Sequence, residues 1–218
     1  MTNTDASPAT PIDTRLAFHA ALDTATPLIA GVRADQLDGP TPCDDMDVRH
    51  LLAHLVFVAE RVASMGRGVH PMDGPTEEVD RADDAWPAAW EAAKADVLAV
   101  WADEALLDRE IVLPWTATTG RDTMALYAAE LTTHTWDLAR ATGQEGAWDA
   151  DALEVALDAM RKELPVADRT EMWAAASAQM PPSIPWRDPF ANAVDVAEGA
   201  PLVEQLVAWC GRDPRWQA

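Results

Sequence analysis

Apolar residues recur at three- and four-residue spacing through four long stretches of the chain, and glycine or proline punctuates the ends of each. A 3.6-residue period can bury its apolar stripe only as a helix. No segment alternates strictly enough to demand a strand, so the chain must fold as an all-α protein. The first helix is expected from about Asp13 to Val32, with Pro27 inside it as a point of bending. After a Pro- and Gly-marked loop from Leu37 to Met46, Asp47 caps a second helix from Val48 to Met65, stopped by Gly66 and Gly68. A third is expected from Asp83 to Ala105, with Pro87 in its first turn. A connection over 106–120 follows, extended at Ile111–Leu113, and a fourth helix from Asp122 to Thr142 stops at Gly143. Beyond it lie a fifth helix, Asp149–Leu164, a short sixth, Thr170–Gln179, an irregular Pro-rich stretch over 180–200, and a last helix, Pro201–Cys210, stopped by Gly211. The expected architecture is an antiparallel four-helix bundle over 12–143 with short additional C-terminal helices wrapped on it over 144–218, making 12–218 one domain. Residues 1–11 are polar and Pro/Thr-rich, with neither a basic start nor an apolar stretch. They read as a disordered leader rather than a secretory signal.

Composition narrows the partners. With 218 residues, 49% of them hydrophobic, the chain can bury one sizeable core. Its net charge of -21 repels phosphate backbones and anionic lipid, so nucleic acid and membrane surfaces are excluded as partners. No apolar run approaches the ~18 residues that span a bilayer. Cys43 and Cys210 are too far apart in sequence to form a CxxC unit, which points to a reduced, cytoplasmic setting and structural thiols. Asp44 and Asp45 should disfavour a Cys43 thiolate by repulsion. Ten tryptophans are expected to fill the core, Trp136 alone being a candidate pocket wall.

Helical phase then selects among five histidines. On the second helix Leu51, Leu55, Val58 and Val62 form the apolar stripe. His54 lies at its edge and His50 further out. On the fourth helix Met124, Tyr127, Leu131 and Leu138 face inward, with His134 at the edge and Glu130 one turn before it. An inward carboxylate is costly unless paired or bound to a cation. One histidine from the second helix and a Glu-x-x-x-His pair from the fourth would give a divalent ion three protein ligands, leaving a position open for water or substrate. Spacing alone also allows an ordinary i,i+4 pair on a partly wet face.

Two motifs carry a resemblance. The run from Thr41 to Val56, TPCDDMDVRHLLAHLV, and the run from Glu130 to Gly143, ELTTHTWDLARATG, resemble the signatures of the DinB/YfiT-like metal-binding bundles. The nearest branch is the actinobacterial one that contains the N-terminal domain of mycothiol-dependent maleylpyruvate isomerase. The closing run from Leu206 to Trp216, LVAWCGRDPRW, is similar to the ending of that branch's short members. The resemblance implies a four-helix bundle holding one divalent metal, with His54, Glu130 and His134 in the ligand positions, the same three that helical phase selects. Zinc suits the set best, with nickel or iron as alternatives. Met46 stands where the family usually has tryptophan, and His50 where it often has aspartate, which adds an imidazole near the site. The tail is shorter than the separate C-terminal domain of the isomerase itself.

Neighbours of the triad take supporting roles. Asp137, three residues after His134, either orients its imidazole or is a surface acid. Arg140 either holds a carboxylate of a thiol or substrate or, as is commoner for such an arginine, pairs with Asp137. Trp136 and Arg140 are thus the candidate cofactor contacts, and Asp137 and His50 the candidate supports. The leading functional expectation is a metal-dependent thiol S-transferase or isomerase, with mycothiol and a small electrophile as partners. The catalytic species would be a thiol or water at the open position. The alternatives are a metal-dependent hydrolase, a site like the facial triad of non-haem iron oxygenases, or a non-catalytic metal- or ligand-binding sensor with a closed site. The chain is expected to be a monomer or a homodimer.

Overall fold

The structure, a computed structural model, describes residues 13–70, 73–74, 79–112, 117–166, 168–180, 186 and 188–217. The expected leader and Leu113 lie outside these. Seven helices are described: α1 (Thr14–Ala30), α2 (Val48–Gly66), α3 (Trp86–Val100), α4 (Gly120–Thr142), α5 (Ala150–Glu163), α6 (Thr170–Ser177) and α7 (Leu202–Trp209). Three begin on aspartate caps, Asp47 and Asp149 as the sequence expects and Asp13 in addition, which accept hydrogen bonds from the amides of His50, Ala152 and Arg15. α4 instead starts at Gly120, capped by the hydroxyl of Thr119, and ends at Gly143 in the left-handed conformation (φ 69°).

Three local expectations need correcting. Gly66 does not stop α2; it is the last residue of that helix, and Arg67 follows as its cap. A Cβ at Gly66 would stand 2.4 Å from Val100 Cγ1 and 2.7 Å from Trp101 Nε1, so the glycine is there to let the end of α3 approach closely. α3 is shorter than expected at both ends. Pro87 sits where helical amides have no partner, fixing the start, and Asp103 redirects the chain by accepting from the amide of Ala105 to begin a 3-10 turn, Glu104–Asp108. The connection to α4 is extended at Ile111 and Val112 as expected, but that stretch is a strand, β1 (Glu110–Val112), paired antiparallel with an unexpected second one, β2 (Ala117–Thr119), Ile111 opposite Thr118.

α4 packs on α1 and α2, and α3 packs on the same two from the other side. Consecutive helices α1 and α2 therefore face each other across the bundle, as the long 31–47 connection permits. α2 supplies the densest part of the core: Leu51, Leu55 and Val62 are fully buried. Each stabilises the fold by about 1.5–3 kcal/mol. Trp86, Trp90 and Trp101 are core residues, as expected, and two satisfy their indole N–H groups locally: Trp90 donates to Thr26 Oγ1 and Trp101 to the Val62 carbonyl, each at 2.9 Å.

The C-terminal third forms a second apolar cluster, with Leu157 and Met160 of α5, Trp173 of α6 and Leu206 of α7 gathered near Ala129 of α4. Buried Arg169 ties these segments together by donating to the carbonyls of Pro165, Ala191 and Trp209. No helix among the described residues is long and apolar enough to cross a membrane.

Candidate metal centre

α2 and α4 bring His54, Glu130 and His134 together. One donor atom from each lies within 4.8 Å of the other two. His54 Nε2 stands 3.5 Å from Glu130 Oε1, and the two imidazoles meet edge to face with centroids 4.5 Å apart. All three side chains retain some solvent access, from 9% for His134 to 13% for His54 and 26% for Glu130. Ligands on a tetrahedral zinc with ~2.05 Å bonds lie about 3.4 Å apart. The His54–Glu130 separation already matches that spacing, and two imidazole nitrogens with one carboxylate suit a borderline divalent cation, so the residues fit one.

Electrostatics prepare the same protonation states. Burial pushes the Glu130 carboxyl up, but the hydrogen bond and charge of His54, together with His134 and Arg61, outweigh it and hold the group below its ordinary value. Burial and the neighbouring His54 lower the pKa of His134 against the opposing pull of Asp137. An ionised carboxylate beside a neutral imidazole is what metal binding requires.

His134 is fixed from behind. Its Nδ1 lies 3.1 Å from Asp137 Oδ2, which leaves Nε2 to face His54 and Glu130. Asp137 is fully buried and is not a surface acid. Its partner is Arg212, whose Nε reaches both carboxylate oxygens at 3.0 and 3.1 Å and whose Nη2 reaches Oδ2 at 3.0 Å. Burial would lower the Arg212 pKa, but the charge and hydrogen bonds of Asp137 raise it instead. The arginine is aimed by the end of α7. The Gly211 amide donates to Ala208, the Arg212 amide donates to Val207, and Gly211 is left-handed (φ 87°), the bonding of a Schellman turn.

The other named neighbours are placed elsewhere. Arg140 does not pair with Asp137. It donates to the carbonyls of Pro214 and Trp216 and lies 5.6 Å from the centre of the Trp136 ring. Trp136 is two residues from His134, some 200° round the helix, and so belongs to a different face. His50 turns its Nδ1 to Asp47 at 2.7 Å and is 66% exposed. Cys43, in contrast, arrives from the 37–46 loop with its sulfur within 4.8 Å of donor atoms of His134 and Asp137. Its thiol pKa is raised, first by burial rather than by the adjacent acids. Arg61, two turns after His54 on α2, has a buried Nε with no hydrogen-bond partner among the described residues, and its charge acts on Glu130 and Tyr127.

A cavity of about 340 Å³ opens beside Glu130, between α4, α5 and α6 and the segment at Pro189–Phe190. Sequence reasoning missed Arg212, Cys43, Arg61 and this cavity. For Arg212 a partial signal exists, since Gly211 marks a sharp turn immediately before it.

Residues 18–139 match the family described as the mycothiol maleylpyruvate isomerase N-terminal domain. Two uncharacterised proteins from two strains of Mycobacterium tuberculosis are each 32% identical to the chain over 206 residues, spanning 94% of this chain and 100% of their own. No solved structure gives a significant match. The family span includes the three candidate ligands, Cys43 and Asp137, but not Arg212.

Proposed function

Because the chain belongs to the mycothiol maleylpyruvate isomerase N-terminal domain family, we propose that it is a metal-dependent enzyme joining a low-molecular-weight thiol, mycothiol foremost, to a small electrophile by S-transfer or thiol-assisted isomerisation. The observation that carries this reading is the convergence of His54, Glu130 and His134 from two helices, with His134 held from behind. Zinc, nickel or iron would be held by those three residues. A divalent ion there would supply Lewis-acid chemistry, lowering the pKa of a thiol so that the thiolate predominates near neutrality.

The chain's own residues supply the rest. Asp137 selects the tautomer and ring orientation of His134, and Arg212 holds the Asp137 carboxylate in place. Glu130 offers the only carboxylate of the triad, at the edge of the cavity where an acceptor would enter. A closed, sensor-type site would need a fourth protein donor. His50, the nearest histidine along α2, is engaged by Asp47, which supports an open site instead.

Metal content of tag-free protein, wild type beside His134→Ala, measured by inductively coupled plasma mass spectrometry, tests the centre. Thiol loss in the presence of electrophiles tests the chemistry. Near-stoichiometric metal lost in the variant, with thiol consumed only by wild type, is expected. Wild type that stays empty after incubation with zinc, nickel and iron refutes the reading.

A further inference from the structure

We infer that the electrophile is a neutral, apolar molecule about the size of a substituted benzene or a naphthalene, bound in the cavity beside Glu130. This rests on the thiol-transfer reading and specifies its second substrate. The walls are Met160 of α5, Leu164 just after that helix, Met172 and Trp173 of α6, and Phe190. Their chemistry suits a flat apolar group: two polarisable thioethers that adapt in shape, beside two aromatic rings. The Trp173 indole N–H is already spent on the Phe190 carbonyl at 2.8 Å, so this wall turns no unused donor to a ligand. The volume, about 340 Å³, is roughly twice the ~150 Å³ cavity that accepts benzene, and within the range of small-molecule sites.

The charge of the lining disfavours the other class of acceptor. Among the described residues the lining holds two carboxylates, Glu130 at the inner end and exposed Glu163 at the outer, and no lysine, arginine or histidine. A carboxylate-bearing acceptor would lose its hydration with no lysine, arginine or histidine among the described wall residues to replace it, inside a chain of net charge -21. A sugar-linked thiol is polar and gains little from these walls, so the cavity serves the acceptor and not the thiol. With an arene epoxide the balance is complete. The sulfur–carbon bond forms as a ring carbon–oxygen bond breaks, and the thiol proton ends on the new hydroxyl, without oxidant or reductant.

Two probes that share a skeleton test this: neutral N-phenyl-1-naphthylamine and its 8-sulfonate, titrated by fluorescence into the full chain, both metal-free and zinc-loaded. The neutral probe should saturate a single site with a Kd at least tenfold below that of the sulfonate. Ala176→Phe, which fills the cavity, should weaken the neutral probe at least tenfold with zinc stoichiometry unchanged. Glu163→Lys, at an exposed position that folding tolerates, should narrow the preference by strengthening the sulfonate. Equal or tighter binding of the sulfonate to wild type, or a preference that Glu163→Lys leaves unmoved, overturns the inference. Thiol loss with styrene oxide and with fumarate separates the two readings. Faster loss with fumarate overturns the apolar acceptor and leaves thiol transfer standing. Zinc binding without thiol loss for either, beside a retained probe preference, overturns thiol transfer and with it the electrophile's role, while the cavity keeps its neutral ligand class.

Discussion

Arg212→Met removes a guanidinium that makes three contacts to a carboxylate with no solvent access, and leaves a side chain of similar length. Arg212 is itself only 10% exposed, so solvent screening replaces little of what is lost. Asp137 would keep the His134 imidazole as a partner but would lose its counter-charge. Removing one partner of a buried ion pair costs about 3–5 kcal/mol. For a chain of this length each kcal/mol lowers Tm by roughly 2–4 °C, so a fall of about 6–20 °C is expected. Replacing both partners, Asp137→Asn with Arg212→Met, removes the stranded charge. The double variant should therefore be more stable than the sum of the single losses predicts, by at least ~1 kcal/mol. Urea denaturation of the four metal-free proteins gives the cycle. Zinc affinity, read by competition with a chromogenic chelator, should fall about 10–100-fold in Arg212→Met because the Asp137 carboxylate that orients His134 is no longer anchored. A loss below ~1 kcal/mol, or additive single and double variants, would refute the account of Arg212 as the counter-charge of the site.

Metal-free protein should lose stability as the pH falls below ~6.5, the ordinary histidine value. His134 and His19 both have lowered pKa values, so between their folded values and 6.5 the unfolded chain binds more protons and stability rises with pH. His134→Gln should flatten the slope of Tm against pH between 5.5 and 7.5, and an unchanged slope counts against a buried neutral imidazole. Gly66→Ala should destabilise by about 1–3 kcal/mol in urea titrations despite alanine's better helix propensity, because the new Cβ collides with Val100 and Trp101; a gain in stability would remove the close-approach argument. Both thiols should resist iodoacetamide at pH 7 in the folded chain and react once urea is added. The Cys210 pKa is pushed up to about 11 by burial and that of Cys43 is also raised, so fast labelling of the native protein, read by mass spectrometry, would contradict their environment.

What the sequence made legible was local. Asp47, Asp149 and Gly143 mark helix ends because caps act on amides and carbonyls within a turn of themselves. His54, Glu130 and His134 emerged because helical phase is a property of one segment at a time, and the inward edges of α2 and α4 happen to meet. Arg140 was misread for the same reason. Three residues from Asp137, it is the natural local partner, yet the Trp136 ring and the carbonyls of the last segment hold it elsewhere. The true partner lies 75 residues further on, where no periodicity links it to α4. The cavity beside Glu130 was invisible because α4, α5, α6 and Phe190 each contribute a few wall residues and none carries a pattern for the whole. The extended backbone at Ile111 was legible, but its partner strand β2 was not, because three residues are too few to display an alternation.

The distance between Asp137 and Arg212 along the chain also sets a clock. At about 5–20 residues per second of synthesis, the 75 residues that separate them take roughly 4–15 s to make. Through that interval all three candidate ligand side chains exist and α1 to α4 can collapse on one another. Asp137, however, has no cation to accompany it into the interior. Water must remain at its carboxylate until α7 emerges and the turn at Gly211 swings Arg212 inward. The candidate centre is thus among the first parts of the molecule to be written and among the last to be finished.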